Sequence, residues 1–233
     1  MADIPYSTAL IVGAGPGISA SLARGLAGAG LAVGLAARNV DKLGPLAKET
    51  GAKTFAADAG DPGAVARLFE QVDASLGEPD VVVFNAGARV RGRITELEPD
   101  AVRRAFDVAA FGGFLVVQQA ARRMLPKEKG AILLTGATAS VKGFPLSSAF
   151  AMGKFALRGL AQSAYRELGP LGIHVAHFVI DGGVRSANRP DPADHPDSTL
   201  DPDAVAQAYI DVLRQPRSAW SWEIELRPWV ERF

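Results

Sequence analysis

Short apolar runs alternate with longer stretches of helical periodicity along the whole chain. Residues 9–12, 31–36, 53–57, 81–84, 131–134, 174–180 and 222–226 read as seven strands. Between them, residues 18–27, 41–49, 62–76, 99–125, 148–168 and 203–213 carry the helical period. Pro62 and Pro99 open two of these helices, where a fixed φ is tolerated, and Gly169-Pro170 ends another. Most of the strand candidates are apolar at nearly every position, which predicts burial on both faces. Strands of that kind alternating with helices give a mainly parallel sheet covered on both sides. Right-handed crossovers then make a doubly wound, Rossmann-type α/β fold. No repeat and no linker divides residues 1–233, so one domain is expected.

Ligands on such a sheet bind at the carboxyl ends of its strands. The first strand runs into Gly13-Ala14-Gly15-Pro16-Gly17-Ile18-Ser19. Glycines between a strand and a helix let backbone N–H groups approach a phosphate, and the helix N-terminus adds partial positive charge. The G-x-G-x-x-G fingerprint does not fit, because Ile18 holds its third glycine position and Ser19 follows. A nucleotide pyrophosphate site is one reading; a tight turn without a ligand is the other. Arg38, Asp58, Asn85-Ala86-Gly87, residues 136–140 and residues 181–186 also follow strand ends, so six loops are expected to converge on one edge.

Composition narrows the partners. Lys+Arg and Asp+Glu are both 25, a formal net charge of zero, which points away from nucleic acid and anionic membranes. The chain has no cysteine, hence neither disulfides nor thiolate chemistry. With three histidines and no ligand spacing, no metal site is expected. Residues 1–8 lack the pattern of a secretory signal and no apolar stretch is long enough to span a bilayer, so a cytoplasmic protein is expected.

The end of the second strand selects between cofactors. An acid there would bind a ribose 2′-hydroxyl, but the chain reads Ala36-Ala37-Arg38-Asn39. A guanidinium can hold a 2′-phosphate in a fork, so NADP(H) is favoured over NAD(H); otherwise Arg38 is a solvated loop residue. Asp58 is a candidate for the adenine amino group or for a helix cap, although Asp61 is better placed to cap.

The glycine turn, Asn85-Ala86-Gly87 and Lys154 resemble the short-chain dehydrogenase/reductase family over nearly the whole chain. The resemblance implies a bound nicotinamide dinucleotide and a homodimer or homotetramer built through the two long helices. It places Gly13, Gly15, Gly17, Ile18, Ser19, Arg38, Asp58, Asn85, Ala86 and Gly87 at the cofactor site, with Lys154 on the nicotinamide ribose. The family's catalytic set is Asn, Ser, Tyr and Lys, with Tyr four residues before Lys and Ser thirteen before Tyr. Those positions are Phe150 and Ala137 here, and the asparagine position in Val108-Ala109-Ala110-Phe111-Gly112 is Ala109. Gly143 supports the frame, and only Lys154 is retained.

In that chemistry the tyrosine gives the proton and the serine steadies the oxyanion. A general acid contributes ~10²–10⁴ in rate and an oxyanion donor a further ~10²–10³. Ordinary ketone chemistry should therefore be severely weakened. Thr138, Ser140, Ser147 and Ser148 are nearby but poor acids. Asp181 is a tentative proton donor or, alternatively, a turn residue. His174 and His177 lie on opposite faces of one strand and read as packing residues, and His195 as a solvated loop residue. Tyr165 lies too far along its helix to replace a phenol at position 150.

Residues 185–202 fall where the family carries a substrate lid; Arg185, Arg189 and the nearby aspartates make either a polar wall or a solvated loop. Trp220, Trp222, Trp229 and Phe233 form an aromatic tail over 220–233, expected to be buried against the domain or a second subunit. Two functions follow. One is an NADP(H) oxidoreductase with nonstandard proton donation, acting on a small molecule such as an activated C=C compound. The other is an inactive NADP(H)-binding sensor or oligomeric interaction protein.

Overall fold

The computed structural model describes residues 3–186 and 189–231. Seven strands form one sheet: β1 (Thr8–Val12), β2 (Ala32–Ala37), β3 (Lys53–Ala56), β4 (Val81–Phe84), β5 (Gly130–Thr135), β6 (Ile173–Ile180) and β7 (Glu223–Leu226). Their order is β3-β2-β1-β4-β5-β6-β7, and every neighbouring pair is parallel. The chain winds outward in both directions from the β1–β4 pair. The loops after these two strands therefore lie side by side at the carboxyl edge, where such sheets bind ligands.

Alternate residues of each central strand feed two separate cores. Ile11, Val83, Leu133 and Phe178 pack on one face with α1 (Ile18–Gly28) and α7 (Pro202–Leu213). Leu10, Val82, Ile132 and Leu134 pack on the other with α3 (Pro62–Leu76), α5 (Gly112–Met124) and α6 (Ser148–Leu168). That is why β1, β4, β5 and β6 are buried at every position. α1 and α7 cross at Gly25, where a Cβ would sit 2.5 Å from Ile210 Cδ1.

Two predicted helices are subdivided. Residues 41–49 form a 3₁₀ turn, Asp41–Leu43, before α2 (Gly44–Thr50), which restarts at Pro45. Residues 99–125 comprise α4 (Pro99–Phe106), a wide π turn at Asp107–Phe111, and α5. The π turn carries Ala109 and brings Gly112 against the chain after β3, where a Cβ would lie 2.5 Å from the Ala59 carbonyl oxygen.

Both strand histidines are buried and structural. His174 stacks on Trp220 at 4.6 Å and bonds the Ser221 carbonyl at 2.8 Å. His177 bonds Glu223 at 3.0 Å, and Arg158 donates to the same carboxylate at 2.6 and 2.7 Å, joining α6 to β7. Burial pushes the His177 imidazole down to about 4 despite the carboxylate beside it. Burial opposes ionised Glu223, but Arg158 and His177 outweigh it and hold that carboxyl below its ordinary value. Among the described residues, no helix is long and apolar enough to cross a membrane.

Candidate active site

The glycine turn is held by backbone contact and one buried polar pair. Gly13 has φ +87°, which only glycine adopts freely, and a Cβ there would lie 2.3 Å from the Ala86 nitrogen. The N–H groups of Gly13 and Ala14 both donate to the Ala36 carbonyl at 2.9 Å. Ser19 donates to the Gly13 carbonyl at 3.2 Å and accepts from Asn85 Nδ2 at 2.8 Å. The Ser19 side chain is therefore buried beneath the turn and braces it. Gly15 and Gly17 face the opposite way: a Cβ on either meets nothing within 4 Å. α1 begins after Gly17 without a capping side chain, so its N-terminus opens onto that space.

Beside the turn is a cavity of about 300 Å³, lined by Gly13, Ala14, Arg38, Asp58, Asn85 and Gly87 among others. Arg38 is exposed at its rim. Asp58 accepts from the Gly60 N–H at 3.0 Å, and Asp61, not Asp58, caps α3. Glycines facing open space and an uncapped helix end fit the phosphates of a nucleotide.

Asn85 and Gly87 also line the next stretch of the groove, about 360 Å³, with Ile18, Ala137, Phe150 and Lys154. The groove continues into an inner pocket of about 180 Å³ beside Phe144, Ser147 and Phe150. Lys154 is 5% exposed, and its Nζ donates to the Thr135 carbonyl at 2.7 Å. Burial, and secondarily the nearby Arg89 charge, push its pKa down to about 8. The Phe150 ring lies 5.9 Å from Lys154 Nζ and 4.6 Å from the Arg89 guanidinium carbon. Ala109 is absent from this lining; it packs against α6, where a Cβ on Gly153 would lie 2.9 Å away.

The structure supplies no phenol in place of Phe150. Tyr6 bonds the Gly130 carbonyl, Tyr209 stacks on Phe178 and bonds Thr135 at 2.9 Å, and Tyr165 lies near Trp220 at another surface. Burial pushes the Tyr6 phenol up to about 12 and raises that of Tyr209 as well. Asp181, the tentative proton donor, is 2% exposed and paired with Arg227 at 3.1 Å, while its neighbours Ile180 and Gly182 line the cleft. Ser140 is fully buried and accepts from the Ala137 N–H at 3.1 Å; Ser148 faces an outer apolar groove; Thr138 and Ser147 line the inner pocket.

The segment 185–202 is organised from within. Arg185 pairs with Asp191 and Asp201, and Thr199 bonds Asp191, so of the two expected arginines only Arg189 lines the cleft. His195 is exposed beside Asp194. In the tail, Trp222 lies 5.9 Å from Arg158 and Trp229 is 82% exposed; Phe233 lies outside the described residues. Among the described residues, no group of three or more His, Asp or Glu is placed to hold a metal. Arg89 and Arg91 escaped sequence reasoning. Their spacing in Ala88-Arg89-Val90-Arg91 is unremarkable, and only the fold brings Arg89 over Phe150.

A family model described as short chain dehydrogenase matches residues 7–193. A crystal structure of a short-chain dehydrogenase from Rhodopseudomonas palustris is 37% identical, with a TM-score of 0.82, covering 96% of this chain and 99% of that one. A metagenomic short-chain oxidoreductase in complex with NADP is 25% identical, with a TM-score of 0.85, covering 98% and 100%. An uncharacterized oxidoreductase of Staphylococcus aureus is 28% identical over 229 residues, 94% of this chain and 96% of that one.

Lys154 yields a signed pH dependence. Between about 8 and the ordinary 10.5, the unfolded chain keeps a proton that the native chain has lost. Stability conferred through this group therefore rises with pH across that window, and below about 8 the burial penalty is present in full. Urea unfolding midpoints of the wild type and Lys154→Met should converge, or cross in favour of the wild type, from pH 8 to 10. A constant difference contradicts this.

Proposed function

The chain belongs to the short chain dehydrogenase family, and on that premise we propose that it binds NADP(H) in preference to NAD(H) and acts as an oxidoreductase with nonstandard proton donation, since Phe150, Ala137 and Ala109 stand at the family's usual catalytic positions. A bound nicotinamide dinucleotide supplies hydride to carbon. The observation that carries the reading is the continuous groove from the glycine turn and Arg38 to a cleft that holds Lys154 but presents Phe150 and Ala137. The NADP complex of the metagenomic relative supports the cofactor assignment.

The roles follow from chemistry. Arg38 offers a guanidinium fork at the cavity rim, and Gly15 and Gly17 leave room for a pyrophosphate. Lys154, anchored on Thr135, is directed to the ribose hydroxyls. Phe150 shapes the wall and Ala137 leaves its carbonyl-side position without a hydroxyl. Such a site tolerates reactions whose proton ends on carbon and comes from water, which favours activated C=C bonds over ketones. The second reading, an NADP(H)-binding sensor without turnover, draws on the same loss of protic groups at Phe150, Ala137 and Ala109.

The exposed side chains support assembly with a second copy. Phe106, Phe111 and Phe114 on the α4–α5 face and Met152 and Phe155 on α6 are all at least one-third exposed. We assign this face to a homodimer or homotetramer contact. Light scattering should show an oligomer that Phe114→Glu with Phe155→Glu shifts toward monomer; a monomeric wild type contradicts it.

Calorimetric titration should show NADPH bound more tightly than NADH. Arg38→Ala should weaken NADPH by about 10–100-fold, the scale of a charge-assisted pair, with little effect on NADH. Equal affinities, or an unaffected variant, contradict the assignment. Separately, Phe150→Tyr combined with Ala137→Ser should raise NADPH-dependent reduction across a panel of aldehydes and ketones by ~10² or more. No gain on any member contradicts the view that these two positions limit carbonyl chemistry.

A further inference from the structure

We infer that the inner pocket beside Phe150 is an anion-recognition site, taking substrates that bear a carboxylate held by Arg89 and Arg91. The inference rests on the reading of this groove as the substrate end of the oxidoreductase site. Its ground is the segregation of charge. Arg89 and Arg91 line the inner pocket, and Arg89, Lys154 and Arg189 line the adjoining cleft, whereas among the described residues no Asp or Glu lines either. In a chain with 25 acidic and 25 basic residues, such a one-sign lining raises the local concentration of anions.

Arg24, Arg123, Arg158 and Arg185 are each closed on a carboxylate of the chain itself, while exposed arginines such as Arg104 and Arg166 are not. Among the described residues, neither Arg89 nor Arg91 forms an ion pair. Arg89 instead lies over the Phe150 ring at 4.6 Å. A cation–π contact at that distance steadies the exposed guanidinium without a carboxylate partner, so its N–H groups remain donors for a ligand. Thr138 and Ser147 add hydroxyls to the same wall. The pocket is small, about 180 Å³, and half walled by Val90, Phe144, Phe150 and Ile180. A planar carboxylate on a short carbon body suits those surfaces better than a dianionic phosphate, which demands more donors. The Arg89 charge also depresses Lys154, and a bound anion would relieve that crowding.

The test uses the full chain with saturating NADP⁺ and three probes: 4-fluorobenzoate, its neutral isostere 4-fluorobenzamide, and inorganic phosphate. Binding is read by fluorine NMR for the organic pair and by calorimetry for all three. The benzoate should bind at least about tenfold tighter than the benzamide, and tighter than phosphate. Arg89→Gln and Arg91→Gln should each weaken the benzoate about tenfold, and Arg89→Lys should restore part of the loss. Arg166→Gln, an exposed arginine at another surface, should leave benzoate binding unchanged. Equal binding of the organic pair overturns the inference, as does tighter binding of phosphate, or sensitivity to Arg166→Gln with none to Arg89→Gln. If NADP⁺ fails to bind while discrimination by charge survives, the cofactor reading falls and the anion site stands. Circular dichroism of each variant excludes unfolding as the cause of a loss.

Discussion

At the centre of the sheet, the backbone of Gly13 passes so close to Ala86 that no side chain fits between them. The contact exists because β1 and β4 are neighbours and their outgoing loops must share the carboxyl edge. Glycine at φ +87° turns the chain sharply enough to start α1 over that edge. Ser19 and Asn85 then fix the turn from below with hydrogen bonds to each other and to the Gly13 carbonyl. With the underside occupied in this way, Gly15 and Gly17 are left facing outward. The cavity beside the turn, lined by Gly13, Asn85 and Ala86, lies directly against this close contact.

The other end of the groove is governed by a different balance. Lys154 is buried and loses solvation, and its Thr135 hydrogen bond compensates for only part of that loss. In the family's ordinary arrangement a phenol and a hydroxyl share this space with the lysine. Here the neighbours are an aromatic ring, a methyl group and a second cation. The result is a site that brings two cations together and carries neither a phenol at position 150 nor a hydroxyl at position 137.

The doubly wound architecture was legible because parallel strands leave uninterrupted apolar runs, and 62–76 and 148–168 matched their helices because proline and glycine punctuate them. The π turn at Asp107–Phe111 was not legible, since its residues keep a helical pattern while tertiary contact with Ala59 sets the wider spiral. The convergence of Ala137, Phe150 and Lys154 on one cleft could be anticipated only through the family resemblance. The inward turn of Ser19 and the sequestration of Asp181 by Arg227 could not, because both depend on partners distant in sequence. Arg89 was hidden for the same reason: a charged loop residue acquires meaning only from the ring it covers.

The central claim is that the glycine turn is a dinucleotide cradle, and amide hydrogen exchange with and without NADP⁺ tests it most directly. Ligand contact at a helix N-terminus should slow exchange of the amides from Gly13 to Ser19 and from Asn85 to Gly87, while the surface around Arg217 and Trp220 stays unchanged. Saturating NADP⁺ with no added protection in those two loops would contradict the account.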